Sequence, residues 1–188
     1  MQQVLNYDRQ LFKQINYYWH NNFFDWLMPW LRNSDMWVPL YLFLLLFVTI
    51  NFKKNAWWWI LFGLCTVILC DFVSSKVVKE LIYRERPCNN AAIADWVRVL
   101  VGYRPQSSSF TSSHATNHFG MAMFFYITLK QHFGKWPLVF FLWAFSIAFA
   151  QVYVGVHYPL DVTGGALIGI LIGYLCGKLY TSNYGLQH

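Results

Sequence analysis

Five long apolar runs, at 37–52, 56–79, 112–129, 136–154 and 159–179, dominate this chain. Hydrocarbon offers no water to bond backbone N–H and C=O groups, so such runs cross a membrane as helices that satisfy their own backbone. About 20 residues of helix cover the roughly 30 Å of a hydrocarbon core. Composition agrees: 57% of the residues are hydrophobic and 12% charged, against about 25% charged in a soluble domain. The expected fold class is all-α, an integral membrane bundle of five spanning helices forming one domain over 1–188.

Segment 1–33 reads differently. Val4, Leu5, Leu11, Phe12 and Ile15 fall near helical spacing, as in an amphipathic helix lying in the membrane interface. Asn21 and Asn22 interrupt it, and the apolar piece 23–31 is too short to cross. Asp8, Arg9 and Lys13, with no continuous apolar core, do not make a cleavable signal peptide. Lys53 and Lys54 end the first spanning run, and Trp57, Trp58 and Trp59 open the second as an aromatic belt. Gly165, Gly169, Gly173 and Gly177 recur every fourth residue in the last, which suits close helix packing in lipid. Cys65, Cys70 and Cys176 sit in apolar runs as buried small hydrophobes. Cys88 alone lies in a loop, and the four show no zinc spacing.

The formal net charge of +6 points first to membrane orientation and to anionic lipid or phosphate contact. No basic stripe with interleaved aromatics appears, which argues against nucleic acid. Asp71, Ser74, Ser75, Lys76 and Lys79 lie within or near membrane depth, where such residues face a bundle interior or a wet cavity. The loop 80–110 that follows carries Arg84, Arg86, Arg98 and Arg104 and the run Ser107-Ser108-Ser109. A loop of that length is more often functional or disordered than a plain connector.

Three polar clusters stand at the ends of apolar runs. Lys79 and Arg86, spaced K-x6-R-P, suit phosphate oxygens, or are a basic helix end snorkelling to headgroups. Ser112 and Ser113 open a helix start whose free N–H groups favour an anion, with His114 beside it, or simply cap that helix. His157 and Asp161, four apart, place a carboxylate against one imidazole nitrogen if both lie on a helix, or form a structural pair favoured by the helix dipole. If each run crosses once, all three clusters fall on one face, opposite the lysines at 53–54 and in the 130–135 turn. That parity makes one shared site the better reading. Placing the lysine turns in the cytoplasm puts the site outside.

In order, K-x6-R-P, S-x-H and H-x3-D resemble the phosphatidic acid phosphatase type 2 family, the lipid phosphate phosphatases, which share their site with vanadium haloperoxidases. The short bacterial undecaprenyl pyrophosphate phosphatases are the nearest in pattern. The resemblance implies that His157 is the nucleophile, forming a phosphohistidine that water hydrolyses, and that Asp161 orients it. His114 would protonate the leaving oxygen, while Lys79, Arg86, Ser112 and the Ser113 backbone hold the phosphate. It implies no metal and no other cofactor, a lipid phosphate or pyrophosphate substrate, and a bacterial inner-membrane location with the site facing the periplasm. Transfer of phosphate to a lipid acceptor, and action on lipid A, phosphatidylglycerophosphate or phosphatidic acid, stay open, as does a metal site at His114, His118, His157 and Asp161.

Two departures stand out. The second motif usually reads P-S-G-H and here is Thr111-Ser112-Ser113-His114. The third usually begins S-R and here is Ala150-Gln151. Gln151 donates a hydrogen bond but carries no charge, which leaves a weakened enzyme or a non-catalytic phospholipid binder as an alternative, unless Arg84 or Arg104 substitutes from the loop.

Overall fold

The computed structural model describes residues 2–52 and 54–186; Lys53, expected to end the first spanning run, lies outside them. Among the described residues every regular element is helical. Helix α1 (Gln2–Lys13) passes through a wide turn to Tyr18. Helix α2 (Asn22–Arg32) starts where the Asn21 side chain accepts from Phe24 N, and ends on Arg32. A tight turn at Ser34–Trp37 leads into α3 (Val38–Asn51). Pro39 stands in its first turn, where the missing N–H would have been unpaired anyway. Helix α4 (Ala56–Phe72) runs through a wide, π-type turn at Val73–Val78 into the single turn α5 (Lys79–Leu81). Helices α6 (Ser113–Phe133), α7 (Val139–Tyr153) and α8 (Pro159–Asn183) follow.

Four of the described helical stretches are long and apolar enough to cross a membrane: Ser34–Asn51, Ala56–Leu81, Trp136–Tyr153 and Pro159–Asn183. Their outward side chains are apolar, with Phe43, Ile50, Leu142 and Leu167 all exposed. Cys65, expected to be buried, is exposed on α4. The fifth expected span, α6, has the length, 21 residues, but is more polar. The reason is its place: it is the central helix, packed on α4, α7 and α8, so protein rather than lipid surrounds it.

The glycine stripe explains how α6 and α8 meet. A Cβ on Gly169 would stand 2.2 Å from Thr116 O, and one on Gly173 2.1 Å from Gly120 O. The backbones are thus in direct contact, the close approach that small residues permit in lipid. Gly120 in turn faces Cys70 Sγ, where a Cβ would come within 2.5 Å, so α4, α6 and α8 lock at one level.

The bundle has two apolar cores. The larger, around Phe52, Trp59, Phe124, Phe125, Ile147 and Tyr180, fills the bundle between α3, α4, α6, α7 and α8. The smaller joins Phe12 and Ile15 to Met28, Cys88, Ile93, Val154, Val156 and Tyr158. This second core ties the N-terminal segment and the long loop to the turn carrying His157. Fully buried Asn16 reinforces it, donating at 2.7 Å to both Arg98 O and Tyr153 O and accepting from Arg98 N at 2.8 Å. Gly155, at φ +87°, makes the bend itself; a Cβ there would stand 2.3 Å from Arg98 O.

Candidate active site

The loop between α5 and α6 is held by its serines. Ser108 Oγ accepts from Arg84 N at 3.0 Å and donates to Ile82 O at 2.8 Å, while Ser109 N donates to Arg84 O at 2.7 Å. That clamp delivers Arg86 into the interior, 5% exposed. Its Nε donates to Ser107 O at 2.8 Å, and its Nη1 reaches Val156 O at 3.1 Å and His157 Nε2 at 3.0 Å. Lys79, at the end of the long α4–α5 run, donates to Ser113 Oγ at 2.9 Å. Ser74 and Ser75 hydroxyls surround the same oxygen at 2.9 and 3.0 Å.

His157 lies before α8, not on it: Tyr158 is the cap residue and Pro159 begins the helix. The expected i,i+4 helical pairing is therefore replaced by a capping arrangement. Asp161 reaches back to accept from Tyr158 N at 2.8 Å, and its Oδ2 stands 3.6 Å from His157 Nδ1. Ser109 Oγ sits between them, 2.5 Å from Oδ2 and 3.5 Å from Nδ1. Guanidinium has only donors, so Nε2 facing Arg86 is the bare nitrogen and the ring proton is on Nδ1. His157 is 3% exposed. Burial pushes its pKa down to about 4; the Asp161 hydrogen bond opposes that, and the Arg86 charge adds to it. At neutral pH the imidazole is uncharged.

Behind Asp161 stands a network that the sequence did not reveal. Arg84 Nη1 donates to Asp161 Oδ1 at 2.6 Å, and its Nη2 bonds Asp8 of α1. Asp8 Oδ1 also accepts from Leu160 N at 2.8 Å. Burial works against the Arg84 charge, but Asp161 and Asp8 outweigh it and hold its pKa above the ordinary value. The charged face of α1 thus packs on the start of α8. Arg84 is committed there, and Arg104 Nη1 is bonded to Cys88 O at 2.8 Å. Neither therefore stands in for an arginine at position 151.

Ser112 caps α6: its Oγ accepts from Ala115 N at 3.4 Å and its N–H donates to Asp161 O at 3.0 Å. Of the first-turn N–H groups, those of Ser113 and His114 are left for an anion. His114 lines a cleft of about 510 Å³ with Arg32, Asn33, Ser34 and Tyr103. The charges of Arg32 and Lys79 both act on it. Gln151 is 1% exposed, its carbonyl accepts from Val156 N and His157 N, each at 3.3 Å, and its Nε2 has no partner. The structure brings Lys79, Arg86, Ser113, His114, His157 and Asp161 to one end of the bundle, with Ser112 and Gln151 beneath them as backbone supports. Among the described residues no three His, Cys, Asp or Glu side chains gather as metal ligands would.

Residues 56–184 match the family model described as the PAP2 superfamily. The chain belongs to the PAP2 superfamily. It is 33% identical over 159 residues to the lipid A 4'-phosphatase of Bacteroides thetaiotaomicron, covering 83% of this chain and 69% of that protein. It is 29% identical over 182 residues to an undecaprenyl-diphosphatase of Sulfolobus acidocaldarius, covering 93% and 79% respectively. In fold it resembles a transmembrane PAP2 type phosphatidylglycerolphosphate phosphatase from Bacillus subtilis, with a TM-score of 0.75 at 20% identity over all of this chain and 90% of that one. The PAP2 match begins at α4, so α1 to α3, including Asp8 and Arg32, lie outside the matched segment.

Proposed function

We propose that this chain is a metal-independent membrane phosphatase that releases phosphate from a lipid through a phosphohistidine at His157. One observation carries the reading: His157 presents a bare Nε2 to the Arg86 guanidinium and a protonated Nδ1 to Ser109 and Asp161. A phosphate entering the cleft takes over the Arg86 N–H now spent on Nε2, which frees the lone pair for attack. As the N–P bond forms and the bond from phosphorus to the lipid oxygen breaks, the ring becomes positive. Asp161, already fixed by Arg84 and Tyr158 N, faces that charge. His114 donates a proton to the departing oxygen. It then takes one from the water that attacks phosphorus, and the N–P bond breaks to restore neutral His157.

A lipid substrate is supported by a second cavity. An apolar groove of about 390 Å³ runs between α3, α4 and α6, lined by Tyr41, Leu44, Leu45, Ile60, Leu64 and Met121. Ser34 lines both this groove and the His114 cleft, so a chain in the groove continues into a headgroup beside His114. The relative matched at 33% identity over 159 residues carries the name lipid A 4'-phosphatase, which favours a lipid A phosphate monoester. The undecaprenyl-diphosphatase relative keeps the prenyl pyrophosphate as the second reading.

In the membrane, α6 is the fifth crossing and α1 lies at the interface over the site. Lys54, Lys130, Lys135 and Lys178 then share the face away from the site. Arg84, Arg86 and Arg98 on the site face are bonded within the protein, which leaves the lysine face as the cytoplasmic one. The site opens outward from a bacterial inner membrane.

The test is phosphate release in detergent, with EDTA present, from lipid A, undecaprenyl pyrophosphate, phosphatidylglycerophosphate and phosphatidic acid. Lipid A is expected to be turned over fastest. Absence of release from every lipid, or strict dependence on added metal, contradicts the reading.

A further inference from the structure

Arg32 is the one arginine of the cleft that neither the motifs nor the PAP2 match includes. It closes α2, and it is 8% exposed. Tyr103 holds it from one side, with Nη2 donating to the Tyr103 hydroxyl at 2.9 Å and the guanidinium carbon 5.5 Å from the ring centre. Its Nε is buried with no partner. An orphaned N–H on a charged group is costly in a folded protein unless something else completes it.

Charge balance points the same way. Arg84 is neutralised by Asp8 and Asp161, and Arg98 by Asp25. Among the described residues no carboxylate pairs with Arg32, Arg86 or Lys79. Arg32 lines the cleft with His114, and its charge acts on Arg86 as well as His114. Three cations without a carboxylate ion pair thus stand at this end of the bundle, and Arg32 is the one that lines the His114 cleft. Gln151 adds a second orphaned donor, Nε2, behind the His157 turn.

We infer that Arg32 is a phosphate-binding residue of this enzyme, using its free Nε–H and uncompensated charge on the substrate phosphate, so that neutral Gln151 is tolerated beneath it. The inference rests on the phosphatase reading above. It assigns to the N-terminal α2, rather than to α7, the third cation of the cradle.

The test compares Arg32→Gln, Gln151→Arg and the double variant with wild type, reading kcat/KM for the lipid substrate and the rise in melting temperature caused by orthovanadate. Arg32→Gln is expected to lose about 100- to 1,000-fold, the scale of removing one transition-state donor, and to lose the orthovanadate stabilisation. Gln151→Arg is expected to raise kcat/KM at least about tenfold more in the Arg32→Gln background than in wild type, because the second cation matters most when the first is gone. Undiminished activity and vanadate response in Arg32→Gln overturn the inference, as does an equal gain from Gln151→Arg in both backgrounds. Should Arg32→Gln not fold, Arg32→Lys keeps the stem and charge without the Nε–H. A loss of about tenfold there supports the inference, and full activity overturns it. A wild type that neither releases phosphate nor is stabilised by orthovanadate overturns the phosphatase reading and this inference with it; an active wild type with an equally active Arg32→Gln removes the inference alone.

Discussion

Arg86 Nη1 stands 3.0 Å from His157 Nε2, so the arginine of the first motif covers the bare ring nitrogen of the third. The contact fixes the ring tautomer, because Arg86 can only donate. Burial keeps the imidazole neutral, and the Arg86 charge adds to that, since a second positive charge beside it is unfavourable.

That relationship sets a pH dependence. With its pKa near 4, His157 keeps its lone pair well below the ordinary histidine midpoint of about 6.5. The His157 limb of kcat/KM is expected to fall only as pH drops through about 4. The unfolded chain, by contrast, binds this proton from about pH 6.5 downward, so His157 subtracts stability between about 6.5 and 4 as pH falls. Mutating it to Gln is expected to flatten that part of a melting-temperature profile; an unchanged slope argues against the shift.

Asp8 acts through Arg84 on Asp161. Asp8→Asn removes the charge that holds Arg84 from the α1 side and weakens the cap at Leu160 N. Orienting partners behind a reactive histidine are worth about 10- to 100-fold where measured at metal sites. A fall of that order in kcat, with KM nearly unchanged, is expected from steady-state kinetics. A pure KM effect would place Asp8 in substrate binding instead.

Ser109 bridges Asp161 and His157. Ser109→Ala leaves a buried carboxylate oxygen one donor short, at about 1–3 kcal/mol, and frees the ring to tilt. Loss of about tenfold or more in kcat is expected, with a normal fold by circular dichroism. Full activity would show that Asp161 alone orients the ring.

The α6–α8 contact leaves no space for a side chain. Gly169→Leu puts carbon where Thr116 O already stands, and overpacking of even ordinary cores costs about 1–3 kcal/mol. A large drop in detergent melting temperature is expected. Gly102, with nothing within 4 Å of a built Cβ, is the control, and Gly102→Ala is expected to melt like wild type.

The groove separates chain recognition from chemistry. Gly63 lines it, and Gly63→Leu is expected to raise KM several-fold for a long-chain lipid phosphate while affecting a short-chain phosphate far less. Equal effects on both substrates would count against the groove as the chain site.

Much of the site was legible because its residues sit where apolar runs end. Lys79, Arg86, His114, His157 and Asp161 announce themselves as polar groups at helix ends, and parity alone put them on one face. Asp8, Arg32 and Ser109 were not legible. In the sequence Asp8 is one of a few charges in the N-terminal segment, and nothing local says that it faces Arg84 across 76 residues of sequence. The Ser107–Ser109 run was visible, but its role appears only when the loop folds back onto Ile82 and Arg84. The helix reading failed at His157 because Pro159 sets the start of α8 and leaves His157 outside it. Hydropathy likewise could not distinguish a lipid-facing span from α6, which buries its polar side chains among its neighbours.

The most direct measurement is a chemical trap. Enzyme turning over a lipid substrate labelled in its phosphate is quenched in base, where phosphohistidine survives, then digested and mapped by mass spectrometry. Label is expected on the peptide carrying His157, and to be absent in His157→Ala. Phosphate release that continues in His157→Ala, or in wild type with no label on His157 at any quench time, contradicts the account.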